Sequence, residues 1–282
     1  MSETLGEWLF RARRAYQTIS ETAGIEISAL ASAALQVDRV WIAAYPEHPL
    51  SDAEITRLDN LLSQLKAGTP LPYLMGFQDF FGLRILVSPD VLIPRPETEL
   101  MVEQAISWLD QHPQASQGLD LCTGSGCVAL AVCINQARIN FVAVDSDWAA
   151  MRVASQNRSY HGVNERIALV VADLATAITG KFDLITANPP YIPTARLAEL
   201  SVAHHEPLIA LDGGESGMDV IQRILMDADR LLARPGLLLC EIDDSQKNAA
   251  LAFASRLYPR AHREIIEDWA EKPRLLRIEV EE

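Results

Sequence analysis

The sequence predicts an α/β protein: a mostly parallel sheet covered by helices on both faces, preceded by a small helical bundle. Three observations carry this. Short apolar runs at residues 118–122, 141–145, 167–173, 182–188 and 236–242 recur with helical stretches between most of them. The chain up to about residue 68 shows helical periodicity instead. Between the two, residues 69–95 are rich in Pro, Gly and aromatics, and the alternation around residues 83–87 suggests a hairpin or edge strand.

Taken in order, Leu5, Trp8, Leu9, Ala12 and Tyr16 share one face of a first helix, with Arg11, Arg13 and Arg14 on its solvated side. A second helix is expected from about Ser28 through Trp41. The third is marked at both ends. Ser51 and Glu54 have capping-box spacing, Ile55, Leu58, Leu61, Leu62 and Leu65 form a stripe, and Gly68 stops it. Beyond the five apolar runs, two late strands are expected near residues 261–268 and 274–280. Residues 214–236 read as an amphipathic helix ending near Pro235 and Gly236, with Ile221, Ile224, Leu225 and Leu232 facing the core. The expected organisation is a helical domain over 1–70, a connecting hairpin over 71–96 and an α/β domain over 97–282.

A formal net charge of -14 argues against a large phosphate-binding surface, and so against direct contact with nucleic acid. Cys122, Cys127, Cys133 and Cys240 form no Cys-x-x-Cys pair and have no His at zinc-ligand spacing, so they read as buried free thiols with no metal site. His204, His205 and Glu206 read as a polar loop. No run approaches transmembrane length, and the first residues lack the apolar core of a signal peptide, which predicts a cytoplasmic protein with no membrane partner.

The chemistry lies at the strand ends. Residues 120–132 run from a strand through a glycine turn into a helix. Gly124 and Gly126 let backbone approach a ligand, and the helix start presents free amides. The next strand ends in Asp145, placed to accept from ribose hydroxyls, and the third ends at Asp173. Such a row suits a nucleoside at the switch point of an open sheet. Residues 124–129 also satisfy G-x-G-x-x-A, so a dinucleotide such as NAD is a rival. The fourth strand ends at Asn188, followed by Pro189, Pro190 and Tyr191. An amide nitrogen is a poor nucleophile because its lone pair is delocalised. Alkylating one requires acceptors that grip its N–H groups and turn the lone pair toward the electrophile. The Asn188 side-chain oxygen and the Pro189 carbonyl have that character. The prolines stiffen the carbonyl, and Tyr191 can pack on the flat amide. By the residues alone, Arg95 and Glu97 read as a surface ion pair.

The Asn188–Tyr191 stretch resembles the amino-methyltransferase signature of S-adenosylmethionine enzymes. Together with residues 81–103, 120–126, 188–193 and 206–225, the chain resembles the HemK/PrmC family of glutamine N5-methyltransferases acting on peptide chain release factors. The resemblance implies a class I S-adenosylmethionine-dependent methyltransferase with a Rossmann-like sheet and an N-terminal substrate-docking domain. It further implies that Cys122, Thr123, Gly124, Ser125 and Gly126 surround the methionine part of S-adenosyl-L-methionine. Asp145 would hold the ribose, and Asp173 and Leu174 would border the adenine. Asn188, Pro189, Pro190 and Tyr191 would bind the target glutamine, Asn188 also bordering the cofactor. Arg95, Pro96, Glu97 and Thr98 would close the site. The implied substrate is the release factor's Gly-Gly-Gln loop, so the implied process is translation termination; the alternative is a glutamine of a large-subunit ribosomal protein. Cys122 and Glu271 stand where the family more often has Gly, and Lys66 lies near the place of a customary arginine.

Overall fold

The computed structural model describes residues 3–281. The chain divides into two units, Met1–Phe77 and Gln78–Glu282.

In the first unit, α1 (Leu5–Tyr16) starts in a capping box. The Glu7 amide donates to the Thr4 hydroxyl at 3.3 Å, and the Thr4 amide donates back to the Glu7 carboxylate at 2.8 Å. The helix buries Leu5, Trp8, Ala12 and Tyr16, and the Trp8 indole N–H donates to Asp59 at 2.8 Å. The expected single helix over 28–41 is two helices, α2 (Ala23–Leu35) and α3 (Arg39–Ala44). Gln36 takes a left-handed conformation, φ 58°, that ends the first. The Asp38 side chain then accepts from the Trp41 amide at 2.6 Å and starts the second. Helix α4 (Asp52–Lys66) opens on the expected Ser51–Glu54 box, and α5 (Leu71–Met75) follows. Leu58, Leu62 and Leu65 of α4 join Trp8, Ile27 and Leu30 in one core, against which Leu71 and Leu74 pack. Truncating Trp8 to alanine would cost about 3–5 kcal/mol, as for other buried aromatic rings.

Strands β1 (Phe77–Phe80) and β2 (Leu83–Leu86) form a two-stranded hairpin. Phe81 and Gly82 both have positive φ, as a two-residue type I′ turn requires. Helix α6 (Glu99–Gln111) leads into the alternating part: β3 (Gln117–Leu121), α7 (Cys127–Asn135), β4 (Asn140–Asp145), α8 (Trp148–Tyr160), β5 (Ile167–Val171) and β6 (Phe182–Ala187). After a short α9 (Thr194–Leu197) come α10 (Asp219–Leu231), β7 (Leu232–Glu241), α11 (Lys247–Leu257), β8 (His262–Glu267) and β9 (Pro273–Val280). Helix α10 stops four residues before Pro235 because Leu232 is already extended and pairs with Phe182. Leu232 therefore belongs to the strand, not to the helix as its apolar spacing suggests.

The seven-stranded sheet has the order β5-β4-β3-β6-β7-β9-β8. The first five are parallel, while β9 runs antiparallel to both neighbours. Strand β3 has β4 on one side and β6 on the other, so the order reverses there and a crevice opens beyond the carboxyl ends of these strands. No helix among the described residues is long and apolar enough to cross a membrane.

Candidate active site

One cavity occupies that crevice. Its cofactor end is built largely from backbone. Asp120, buried on β3, accepts from the Thr123 hydroxyl at 2.5 Å and from the Thr186 hydroxyl on β6 at 2.7 Å, which ties the turn after β3 to the neighbouring strand. Burial pushes the Asp120 carboxyl up to about 6, against the pull of these hydroxyls. The turn passes through Cys122 (φ 58°), Gly124 (φ 55°) and Gly126 (φ 81°), the last capping α7. A left-handed Cys122 is a strained position for a residue with a side chain and would suit glycine. The Gly124 amide donates to Asp145 at 2.9 Å, and the Asp147 amide donates to its other oxygen at 3.0 Å. Burial raises the carboxyl's pKa, against the pull of the Asp147, Gly124 and Ser146 amides, and three amide bonds leave this carboxylate able to accept one more. Asn157, fully buried on α8, donates to the Ser125 carbonyl at 3.0 Å and exchanges two hydrogen bonds with Leu86, so the hairpin braces the turn. Asp173 lies two residues past β5 and pairs with Arg223 of α10 at 2.6 Å. Leu174 follows, buried and left-handed.

The other end is built from side chains. Asn188 follows β6, and its Nδ2 donates to the Thr98 hydroxyl at 3.1 Å. That hydroxyl donates to Glu241, buried at the end of β7, at 2.7 Å. The Asn188 Oδ1 is buried and has no hydrogen-bond partner among the described residues. An unpaired buried acceptor costs about 1–3 kcal/mol and marks a place where a ligand donor belongs. The Tyr191 hydroxyl reaches Glu241 at 3.4 Å, and the Tyr191 carbonyl accepts from Gln246 at 2.9 Å. Residues 211–217 hold the proline segment in place. The Ile192 amide donates to the Leu211 carbonyl at 3.0 Å, and the Gly213 amide donates to the Ile192 carbonyl at 2.8 Å. A Cβ on Gly213 would lie 2.7 Å from the Tyr191 Cα, and one on Gly217 would lie 2.4 Å from the Tyr191 carbonyl oxygen. Only glycine permits this approach.

Arg95 does not pair with Glu97 as the sequence suggests. It binds Glu206 at 2.5 Å, and the second Glu206 oxygen accepts from the Ile93 amide at 3.1 Å. Glu206 is therefore a buried anchor rather than part of a solvated polar loop. It ties the segment before α6 to the segment after α9 across the mouth of the site.

Cys122, Thr123, Gly124, Ser125, Asp145, Asp173, Leu174, Asn188, Pro190, Arg95 and Thr98 all line the cavity. Gly126, Pro189, Tyr191, Pro96 and Glu97 lie outside that lining. Sequence reasoning missed Asp120, Asn157, Glu206, Arg223 and Glu241. A charged residue in the apolar run of β7 is the signal that could have exposed Glu241. The thiols of Cys122 and Cys127 are pushed up by burial, Cys127 to about 12, so neither is a nucleophile at neutral pH. The lining carries six aspartates against two arginines, a field that favours a cationic ligand and disfavours a pyrophosphate.

Comparison with known proteins agrees with this architecture. The "PrmC N-terminal domain" family profile matches residues 7–76, and the "Methyltransferase small domain" profile matches residues 98–205. The chain is 38% identical over 239 residues to the release factor glutamine methyltransferase of Geobacter sulfurreducens, covering 84% of this chain and 82% of that protein. It is 36% identical over 253 residues to the enzyme of the same name from Moorella thermoacetica, covering 89% of each. In fold it is similar to the N-terminal domain of human METTL16 solved with SAH: TM-score 0.51, 18% identity, 84% of this chain and 86% of that one. With its sheet order, its helical first unit and relatives this close over most of their length, the chain belongs to the release factor glutamine methyltransferase family.

Proposed function

We propose that the protein is an S-adenosylmethionine-dependent methyltransferase that methylates the side-chain amide nitrogen (N5) of the glutamine in the Gly-Gly-Gln motif of peptide chain release factors. The observation that carries this reading is the orphaned Asn188 Oδ1, an acceptor held beside a nucleoside-shaped cradle. The cradle fits the cofactor. Gly124 has open space where a side chain would stand, Asp145 can accept one further bond, from a ribose hydroxyl, and the acidic lining suits a sulfonium. When bound, S-adenosyl-L-methionine supplies an electrophilic methyl group.

The chain's own part is positioning. The Asn188 Oδ1 and the Pro189 carbonyl accept the two N–H groups of the target carboxamide, which turns its lone pair out of conjugation and toward the cradle. Pro189 and Pro190 fix the direction of that carbonyl. Tyr191, clasped by Gly213 and Gly217, offers its ring to the flat amide. No group on the chain has to remove a proton before attack, because partial charge stabilisation suffices. Arg95, Pro96, Glu97 and Thr98 close the site, and the helical first unit docks the protein substrate. The names of the relatives favour a release factor over a ribosomal protein. The reaction is assigned to the cytoplasm, where translation termination takes place.

The test is incubation of the protein with methyl-labelled cofactor and purified release factor, followed by location of the label by peptide mass. Label on the Gly-Gly-Gln glutamine is the expected result. Label only on a ribosomal protein, or none on either, would reject the assignment.

A further inference from the structure

We propose that Glu241 is a positioning residue for the methyl acceptor: acting through the Thr98 hydroxyl, it fixes which end of the Asn188 carboxamide is presented to the target amide. The inference rests on the reading of Asn188 given above and adds to it a residue outside the amide clamp.

A threonine hydroxyl has a single proton. Here it is given to Glu241 Oε2 at 2.7 Å, so toward Asn188 the Thr98 oxygen can only accept. The Asn188 group facing it must then be the donor Nδ2, at 3.1 Å, and Oδ1 is left as the unpartnered end. The polarity of the chain Glu241–Thr98–Asn188 is thus set by a carboxylate, which accepts and cannot donate. Removing that charge releases the constraint. A protonated Glu241, or a glutamine in its place, can donate into the Thr98 oxygen. The hydroxyl proton then turns to Asn188, the carboxamide flips, and Nδ2 stands where the acceptor should be. Two N–H groups would then face each other at the site of attack.

The surroundings of Glu241 make this a pH-dependent device. The carboxyl is faced by Glu97 from the turn before α6, Tyr191 after β6, Arg274 on β9 and Cys127 on α7, with Cys240 beside it. Burial raises its pKa to about 7, while the Thr98 hydroxyl and Arg274 pull it down and Glu97 adds to the rise. Tyr191, Cys127 and Cys240 are all pushed upward by burial and stay neutral through this range. Arg274 stays charged. The carboxylate form, and with it the productive polarity, is present above the Glu241 pKa and lost as pH falls through it.

The experiment measures methyl transfer to purified release factor from about pH 6 to about pH 8.5, for wild type, Glu241→Gln, Thr98→Val and Thr98→Ser, with cofactor affinity by calorimetry. The wild-type kcat is expected to fall about tenfold from pH 8 to pH 6, the limb of a single group near 7. Glu241→Gln should lower kcat about tenfold or more at pH 8, leave cofactor affinity unchanged and abolish that limb. Thr98→Val should do the same, while Thr98→Ser, which keeps the hydroxyl, should retain both rate and limb. A Glu241→Gln enzyme with wild-type kcat and a wild-type acid limb would overturn the proposal. Should that variant lose cofactor binding altogether, the contrast of Thr98→Val with Thr98→Ser decides, and equal rates for the two would overturn it. If wild type labels no glutamine at any pH, the functional reading fails and this proposal falls with it; labelling by wild type with an indifferent Glu241 defeats this proposal alone.

Discussion

At the cofactor end of the crevice the polar groups are placed by backbone. A left-handed turn follows β3, its Gly124 amide sits on Asp145, and the whole arises within 26 consecutive residues of one β-turn-α-β unit, from Asp120 to Asp145. At the amide end nothing comparable exists. Thr98 and Glu241 are 143 residues apart, and Thr98 and Asn188 are 90 apart, so the hydrogen-bond chain behind Asn188 is assembled from three distant elements that meet only when the sheet is complete. The first end depends on the geometry of its turn and on the Asp145 carboxylate that the turn holds. The second depends on which atom donates to which, and a single wrong proton can undo it.

The largest effect is expected at Asn188. Asn188→Ala removes the acceptor proposed to orient the amide, so kcat should drop about 100- to 1000-fold, the cost of losing one preorganised hydrogen-bonding group. Cofactor affinity should stay within a factor of a few by calorimetry. A parallel loss of affinity would mean the two ends are not separable. Asp145→Ala is the converse. Losing charge-assisted bonds to ribose should weaken cofactor binding about 10- to 100-fold. With cofactor saturating, turnover should recover; if it stays low, Asp145 acts on more than binding.

A smaller effect is expected in stability. Glu241 is raised by burial from 4.5 to about 7, so between these values the folded state holds a proton that the unfolded chain releases. That contribution is fully present below about pH 4.5 and is lost as pH rises through about 7. The unfolding free energy of Glu241→Gln relative to wild type should therefore move in the variant's favour by on the order of 3 kcal/mol across the window. Urea unfolding at either end of the range measures it, and a flat difference would contradict the burial argument. Smallest of all should be Glu271→Gly. Glu271 is exposed and left-handed (φ 58°) in the turn joining β8 to β9, where Asp268 binds the Ala270 and Lys272 amides. Relief of that strain should stabilise the protein by about 0.5–1 kcal/mol, a small rise in Tm.

The same contrast explains what could be read from the chain before folding. The glycine turn, Asp145 and the Asn188–Tyr191 stretch are contiguous or regularly spaced, so their chemistry is visible along the sequence. Seven strands and the α4 cap were equally plain, because apolar runs and a Ser51–Glu54 box are local signals. Glu206 and Glu241 were not visible. Their meaning comes from partners 111 and 143 residues away, and each sits in a stretch that reads as loop or strand. The break between α2 and α3 was hidden because a left-handed Gln36 leaves no mark in an apolar pattern. Cys122 and Glu271, which stand where the resemblance implies glycine, both occupy positive-φ positions, which strain a residue with a side chain.

The most direct measurement is a crystal structure with S-adenosylhomocysteine and a release factor bound. The account predicts the target glutamine nitrogen about 3 Å from Asn188 Oδ1, with the cofactor sulfur on the opposite side of that nitrogen from the acceptors. An Asn188 Oδ1 still without a partner in that complex, or a glutamine amide seated away from the segment 188–191, would contradict it.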